Sequence, residues 1–430
     1  MTMRVYICVN THWQITNLVP FVHLIETRGP FDLIVNLTAT RTKGKSGKGN
    51  ETNGNAAIRL ADLQHAERVR SPLFDAIIYE LRRRNLPMDL PVQRLEGPLK
   101  NPAYWREALL QVFDRLKASN SHKGIEVTYN YLGGPKEVML GVMQALQTLK
   151  GDNRITYCLV SYDTPAAVLL IDDGNRETVE SLEGADSLVS FEGYLRVHGF
   201  REMEMAREER KRREREALRR KDATLELASA VFGHDREKAR RRLHALARLN
   251  VREPRSLSGL DAPFLALLLR IGREVFPNQA RRLDRPEELI RLHGLQYLKS
   301  GWLEEYVWLA MREKMPPGAC VFLGTKLSRQ DSVDGFNDYE IDVAIYCRNQ
   351  LHALECKISS SNQHMRRHMV NKAIVLKDEL IGIGGRMIVL HARPLNNSDL
   401  ADKARRAGVE IVHGPTRMQQ FVEGFHPCGQ

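Results

Sequence analysis

Residues 340–357 read EIDVAIYCRNQLHALECK. Two runs rich in Ile, Val, Tyr and Leu, EIDVAIY and QLHALECKI, flank the short polar segment Cys347-Arg348-Asn349-Gln350, which predicts a β-hairpin. With Arg348 and Asn349 as the central turn residues, Cys347 faces Gln350, and counting back sets Asp342 opposite Glu355 and Glu340 opposite Lys357. Opposed residues share one sheet face with Cβ atoms roughly 4.5–5.5 Å apart. The two-residue strand period keeps Glu355 and Lys357 on that face. Two carboxylates and an ammonium are therefore expected to converge.

Carboxylates that close repel unless a proton or a cation lies between them. A hard divalent ion, Mg²⁺ or Mn²⁺, suits the pair, with Asp342 and Glu355 as its expected ligands and its remaining waters replaceable by phosphate oxygen. Lys357 would orient or help deprotonate an attacking water and offset charge growing on the phosphate. The chemistry this arrangement implies is metal-assisted hydrolysis of a phosphodiester.

The pattern D-x12-E-x-K resembles the PD-(D/E)XK nuclease superfamily, with Asp342 and Glu355 in the metal-binding positions and Lys357 in the catalytic one; Ile341 stands where the superfamily name has Pro. That resemblance implies a further glutamate from a helix before the hairpin. GWLEEYVWLAMREK (301–314) reads as such a helix, with an apolar stripe of Leu303, Val307 and Ala310. Glu304 flanks the stripe and is expected to aim inward, and Glu305 to face solvent. After the hairpin come a Lys- and Arg-rich helix (362–379), a strand RMIVLHA, a helix within SDLADKARRAGVEIV and a last strand. This α-β-β-α-β order matches the superfamily's core.

The 430 residues allow two or three domains. The six cysteines, Cys8, Cys158, Cys320, Cys347, Cys356 and Cys428, contain no CxxC pair, so neither a zinc site nor a disulfide framework is indicated and a reducing cytoplasm is expected. No apolar run approaches a membrane span, and MTMRVYICVN enters a strand directly, so no membrane partner is expected. A net charge of +11 points to a polyanionic partner. A phosphodiesterase site makes that partner nucleic acid, DNA or RNA or both.

At the N-terminus, VYICVN, a helix from His12 to about Thr27 and FDLIVNLT (31–38) form a βαβ unit, hence a parallel sheet. Ligands of such sheets gather at the carboxyl ends of the strands, here marked by Asn10, Thr11, Gln14 and Thr38. The Gly-, Lys- and Asn-rich stretch 40–57 reads as a loop, either plain or touching a ligand; its GKSGKGN does not satisfy the phosphate-loop pattern. Helices are expected at about 56–70 and 102–119. IEVTYNYLGGPKEVMLGVMQALQTLKG (125–151) is a strand running through Gly133-Gly134 into a helix with Pro135 and Lys136 in its first turn. RITYCLVSYDTPAAVLLIDDGN (154–175) reads as an antiparallel hairpin.

The strand, Gly-Gly, x-Lys, helix order resembles the ligand loop of CARF domains, the CRISPR-associated Rossmann folds that sense cyclic oligoadenylate, with Pro135 where that loop often has threonine. VNTHWQITNLVP is similar to the first strand–helix junction of that family. The resemblance places Asn10, Thr11, Gln14, Thr38, Gly133, Gly134, Pro135 and Lys136 at the ligand.

FREMEMAREERKRREREALRRKD (200–222) is charged almost throughout without an apolar period, which reads as a solvent-bridging linker or a disordered run, with direct nucleic-acid contact as an alternative. Residues 223–298 read as helical without a catalytic signature, a connector or else a winged-helix-like module. The expected fold class is α/β: a Rossmann-like CARF domain (1–180), a charged helical linker and connector (181–290) and a restriction-endonuclease-like PD-(D/E)XK domain (291–430). The pairing resembles the Can/Card-type CARF nucleases of type III CRISPR defence. It implies a homodimer that binds cyclic tetra-adenylate and is thereby activated for metal-dependent cleavage. The alternatives are a ligand-gated nucleic-acid-binding regulator with an inactive nuclease fold, and a restriction-type nuclease needing no messenger.

Overall fold

The computed structural model of the chain describes residues 2–10, 14–40, 58–59, 71–88, 90–119, 124–132, 134–152, 154–164, 167–172, 176–182, 187–233, 236–248, 260–281, 294, 296–330, 339–358, 363–382, 384–391 and 398–427. It divides into two compact units, Met1–Phe200 and Arg201–Gln430.

The first unit is built on eight strands: β1 (Thr2–Val9), β2 (Leu33–Thr40), β3 (Ile58–Arg59), β4 (Pro91–Pro98), β5 (Gly124–Asn130), β6 (Ile155–Thr164), β7 (Ala167–Asp172) and β8 (Arg176–Ser181). They lie in the order β3-β4-β2-β1-β5-β6-β7-β8. β4, β2, β1, β5 and β6 are mutually parallel, and β3, β7 and β8 add antiparallel edges. The parallel strands follow the Rossmann order, which reverses between β1 and β5. Helices covering both faces explain the unbroken apolar run of β1, in which Val5, Tyr6, Ile7, Cys8 and Val9 are all fully buried. The helix Pro102–Ser119 forms where the sequence predicts it, and the first helix spans Ile15–Arg28. At 58–59 the backbone is the short strand β3 rather than the expected helix, whose remaining residues lie outside those described. β4, which the sequence reading passed over, alternates charged and apolar residues so weakly (QRLEGP) that only its place beside β2 identifies it.

The second unit carries six strands: β9 (Phe200–Arg201), β10 (Cys320–Arg329), β11 (Tyr339–Cys347), β12 (Gln350–Lys357), β13 (Met387–His391) and β14 (Val409–His413), ordered β14-β13-β12-β11-β10-β9. β10, β11 and β12 form an antiparallel meander, and β13 and β14 continue it in parallel with β12. β10 inserts a strand between the helix Trp302–Lys314 and the hairpin that the expected α-β-β-α-β order lacks. Gly324 and Lys326 interrupt its alternation, and this hid it. One face of the sheet, Val343, Ile345, Leu354 and Cys356, joins Leu303, Val307 and Trp308 of that helix in a single core.

The charged run forms the helix Glu204–Arg219, and it is not a solvent-bridging linker. Its buried stripe is Ala206, Arg210 and Ala217, with Arg213 continuing the row between them. Arg210 donates to the buried Glu202 at 2.7 and 3.0 Å, and its guanidinium lies 4.4 Å over the Phe322 ring of β10. Lys326 of β10 pairs with Glu209 at 2.8 Å, and the backbone N–H of Leu323 donates to Glu214. The inward face is made of charges satisfied by partners, which a hydrophobic period cannot reveal. Glu305, expected in solvent, is buried for the same reason: Arg220 donates to both its carboxylate oxygens at 3.0 Å. Cys347 is disulfide-bonded, where the cysteine spacing suggested no disulfide framework, and Cys8, Cys158, Cys320 and Cys356 are free.

Candidate active site and ligand end

Arg348 and Asn349 take φ of 49° and 59°, the left-handed pair that a two-residue type I′ turn requires. The ladder runs from Cys347↔Gln350 to Val343↔Leu354, so its next step sets Asp342 opposite Glu355. Both face away from the core formed by Val343 and Leu354.

Three side chains meet there. Lys357 Nζ lies 3.2 Å from Asp342 Oδ2 and 3.1 Å from Glu355 Oε1. Asp342 Oδ2 also accepts from the backbone N–H of Cys356 at 2.7 Å, which anchors the carboxylate to the opposing strand. Glu355 takes a second cation, Lys372 of the helix Gln363–Leu376, at 3.1 Å to each oxygen. Asp342 and Glu355 are 5% and 3% exposed, so the two carboxylates are held out of water while the lysine between them stays partly exposed.

Glu304 reaches the same neighbourhood from the helix Trp302–Lys314. Its carboxylate accepts from Arg213 Nη2 at 2.7 Å, and the other terminal nitrogen of Arg213 lies 3.2 Å from Glu340. Burial, and then the like charge of Asp342, push the Glu304 carboxyl up to about 7 against the opposing pull of Arg213 and Lys357. Burial and Asp342 likewise raise Glu355, with Lys357 and Lys372 pulling it back. For Lys357, burial favours the neutral amine, but Asp342, Glu355 and Glu304 together outweigh it and hold the ammonium above the ordinary lysine value.

Lys372 and Arg213 escaped the sequence reading. Lys372 was one of several cations on an expected basic helix, and only the packing of that helix selects it. Arg213 lay in a run whose repetitive charge gave no residue priority.

In the first unit Asn10, Gln14, Gly134, Pro135 and Lys136 follow the carboxyl ends of β1 and β5, where the strand order reverses. Gln14 is buried and bonds Asn10, with its Oε1 accepting from Asn17 at 2.9 Å. Asn17 also donates to the Val9 carbonyl at 2.8 Å, and Asn130, at the end of β5, donates to Asn17 Oδ1 at 3.0 Å and to the Thr16 carbonyl at 2.6 Å. This buried amide network stiffens the carboxyl ends of both central strands. Asn17 and Asn130 were not singled out in the sequence, although Asn130 closes its strand. Gly134 packs so closely on β1 that an added Cβ would lie 3.2 Å from the Val9 side chain. Pro135 caps the helix Lys136–Leu149, its carbonyl accepting from Val138 and Met139 at 3.0 Å, and Lys136 opens that helix, exposed. Thr38, at the carboxyl end of β2, donates to Asn36 at 3.3 Å. Thr11 and Gly133 lie outside the described residues.

A Rossmann-like sheet in one unit, and in the other a mixed sheet whose hairpin gathers an aspartate, a glutamate and a lysine, define a two-part α/β protein with a buried carboxylate pair bridged by one lysine. Residues 293–424 match the family model of the Card1-like endonuclease domain. Can2 from Sulfobacillus thermosulfidooxidans, solved in complex with cyclic tetra-adenylate, is 15% identical at a TM-score of 0.57, covering 97% of this chain and 97% of its own. Protein VC1899 from Vibrio cholerae is 17% identical at a TM-score of 0.55, covering 98% and 96%. No curated protein matches the sequence. The chain therefore shares the fold of Can2 and of VC1899, and its residues 293–424 are similar to the Card1-like endonuclease domain. Among the described residues no helix is long and apolar enough to cross a membrane.

Proposed function

We propose that this chain is a cytoplasmic, divalent-metal-dependent nuclease of type III CRISPR defence, acting as a homodimer on DNA or RNA phosphodiesters and activated by cyclic tetra-adenylate bound at the carboxyl ends of β1, β2 and β5. The observation that carries the catalytic half is the single ammonium of Lys357 placed between two buried carboxylates, Asp342 and Glu355. The likeness to Can2, solved with cyclic tetra-adenylate, supports the messenger half.

The donor set fits Mg²⁺ or Mn²⁺. Asp342 and Glu355 offer hard carboxylate oxygens, and burial followed by the repulsion of Asp342 raises Glu355. Among the described residues no group of three or more His, Cys, Asp or Glu side chains is gathered that could hold a metal ion, so an ion here would rest on these two carboxylates, with water and phosphate in its other positions. Bound to Asp342 and Glu355, the ion would polarise a phosphoryl oxygen and make a bound water more acidic.

The remaining work falls to the chain's own side chains. Lys357, whose ammonium is favoured in the metal-free chain by Asp342, Glu355 and Glu304 against the opposing effect of burial, would offset charge that grows on the phosphate and orient the attacking water. Glu304, raised to about 7, has a proton affinity suited to accepting a proton near neutrality. The anchoring of Asp342 by Cys356 and of Glu355 by Lys372 keeps both carboxylates in place between turnovers.

Cleavage of plasmid and of single-stranded DNA and RNA, with Mn²⁺ or Mg²⁺ and with or without cyclic tetra-adenylate, tests this reading. Cutting that needs both the ion and the ring supports it. Equal rates with and without the ring reject the messenger half, and cutting in excess chelator rejects the metal half.

A further inference from the structure

Arg213 belongs to the charged helix Glu204–Arg219, yet it joins two elements of the nuclease site. Nη2 bonds Glu304 on the helix Trp302–Lys314 at 2.7 Å, and Nη1 bonds Glu340 on β11, two positions before Asp342, at 3.2 Å. The guanidinium also lies against the backbone of β10. A Cβ built on Gly324, whose φ is +70°, would stand 2.7 Å from Arg213 Cζ, so the glycine leaves the space the arginine fills. Three elements are tied at one planar group, a task for a rigid fork with separate donors rather than a point charge.

Glu304 needs such a tie. It is 7% exposed, and the charge of Asp342 opposes its ionised form. A buried carboxylate facing another turns away or picks up a proton unless a cation holds it.

We infer that Arg213 is a positioning residue of the nuclease: it holds the Glu304 carboxylate in line with Asp342 and Glu355, and does so from a helix outside the catalytic hairpin. This role rests on the nuclease reading above. Arg213 acts through Glu304, to which it is bonded.

The full-length chain is compared as wild type, Arg213→Gln, Arg213→Lys and Arg220→Gln. Arg220 is the control, since it makes an equivalent ion pair with Glu305 between the neighbouring helix junction and the same Trp302–Lys314 helix. Each variant is measured for kcat and KM in the activated state with Mn²⁺, for Mn²⁺ affinity by calorimetry without substrate, and for melting temperature. Arg213→Gln is expected to lower kcat about tenfold to a hundredfold with KM little changed, and to weaken Mn²⁺ binding about tenfold, the lower end of the range found when an outer group beside the metal ligands is disturbed. Arg213→Lys should recover part of both. Arg220→Gln should lower the melting temperature and leave kcat and Mn²⁺ affinity within about twofold. Equal kcat losses in Arg213→Gln and Arg220→Gln, or wild-type kcat and Mn²⁺ affinity in Arg213→Gln, overturn the role. Should Arg213→Gln fail to fold, Arg213→Lys decides: intermediate values support the role and wild-type values overturn it. An inactive Asp342→Asn beside a fully active Arg213→Gln removes only the positioning role, whereas an active Asp342→Asn removes the nuclease reading itself.

Discussion

Lys357 Nζ lies 3.2 Å from Asp342 Oδ2, and the residue before that lysine, Cys356, donates its backbone N–H to the same oxygen at 2.7 Å. One carboxylate oxygen is thus held by the strand opposite it, through backbone and side chain together. Asp342→Asn preserves the shape and removes the charge. Cleavage should fall by at least about a hundredfold while the melting temperature moves little, read by initial rates and thermal unfolding. Cleavage within a few-fold of wild type would take Asp342 out of the chemistry.

Lys357→Met takes away the cation between Asp342 and Glu355 and leaves two carboxylates buried side by side. Without divalent ions the variant should lose on the order of 1–3 kcal/mol of stability, less than a fully buried pair because the lysine side chain is 34% exposed. Mn²⁺ should restore more stability to the variant than to wild type, since the ion replaces the missing charge, yet cleavage should stay abolished. Denaturant melts with chelator and with Mn²⁺ check this, and equal Mn²⁺ shifts would contradict it.

Burial and the charge of Asp342 raise the Glu304 carboxyl from 4.5 to about 7. The folded chain then holds a proton that the unfolded chain has released. The associated stability is complete below about pH 4.5 and is lost as pH rises to about 7, a change of at most about 3 kcal/mol. Glu304→Gln abolishes that titration. The melting temperature of wild type minus that of Glu304→Gln, measured without metal, should fall between pH 5 and pH 8, and a flat difference would contradict it.

Lys136 stands exposed at the first position of the helix Lys136–Leu149, where a cation and the helix amides favour an anionic ligand. Lys136→Ala should raise the cyclic tetra-adenylate concentration giving half-maximal cleavage by about tenfold, with the rate at saturating ring unchanged. A lowered plateau with an unchanged midpoint would assign Lys136 another role.

Much of the second unit's layout was legible because strand alternation and turn chemistry are local. Arg348-Asn349 gives the turn, the turn gives the register, and the register puts Asp342 and Glu355 on one face. β10 was not legible, because Gly324 and Lys326 break its alternation to receive Arg213 and Glu209 from another helix. Glu305 was misread for a related reason: its partner, Arg220, is distant in sequence. Lys372 and Arg213 matter through tertiary pairing alone, which no one-dimensional period carries. In the first unit β1 announced itself by its apolar run, whereas Asn17 and Asn130 became meaningful only once β1 and β5 proved adjacent.

Cleavage by wild type and by Lys357→Ala, each with Mn²⁺ and each with and without cyclic tetra-adenylate, tests the central claim most directly, with ring binding followed in parallel. Cutting by wild type only when both ion and ring are present, together with no cutting but undiminished ring binding by Lys357→Ala, is the predicted result. A Lys357→Ala chain that cuts as fast as wild type would contradict it.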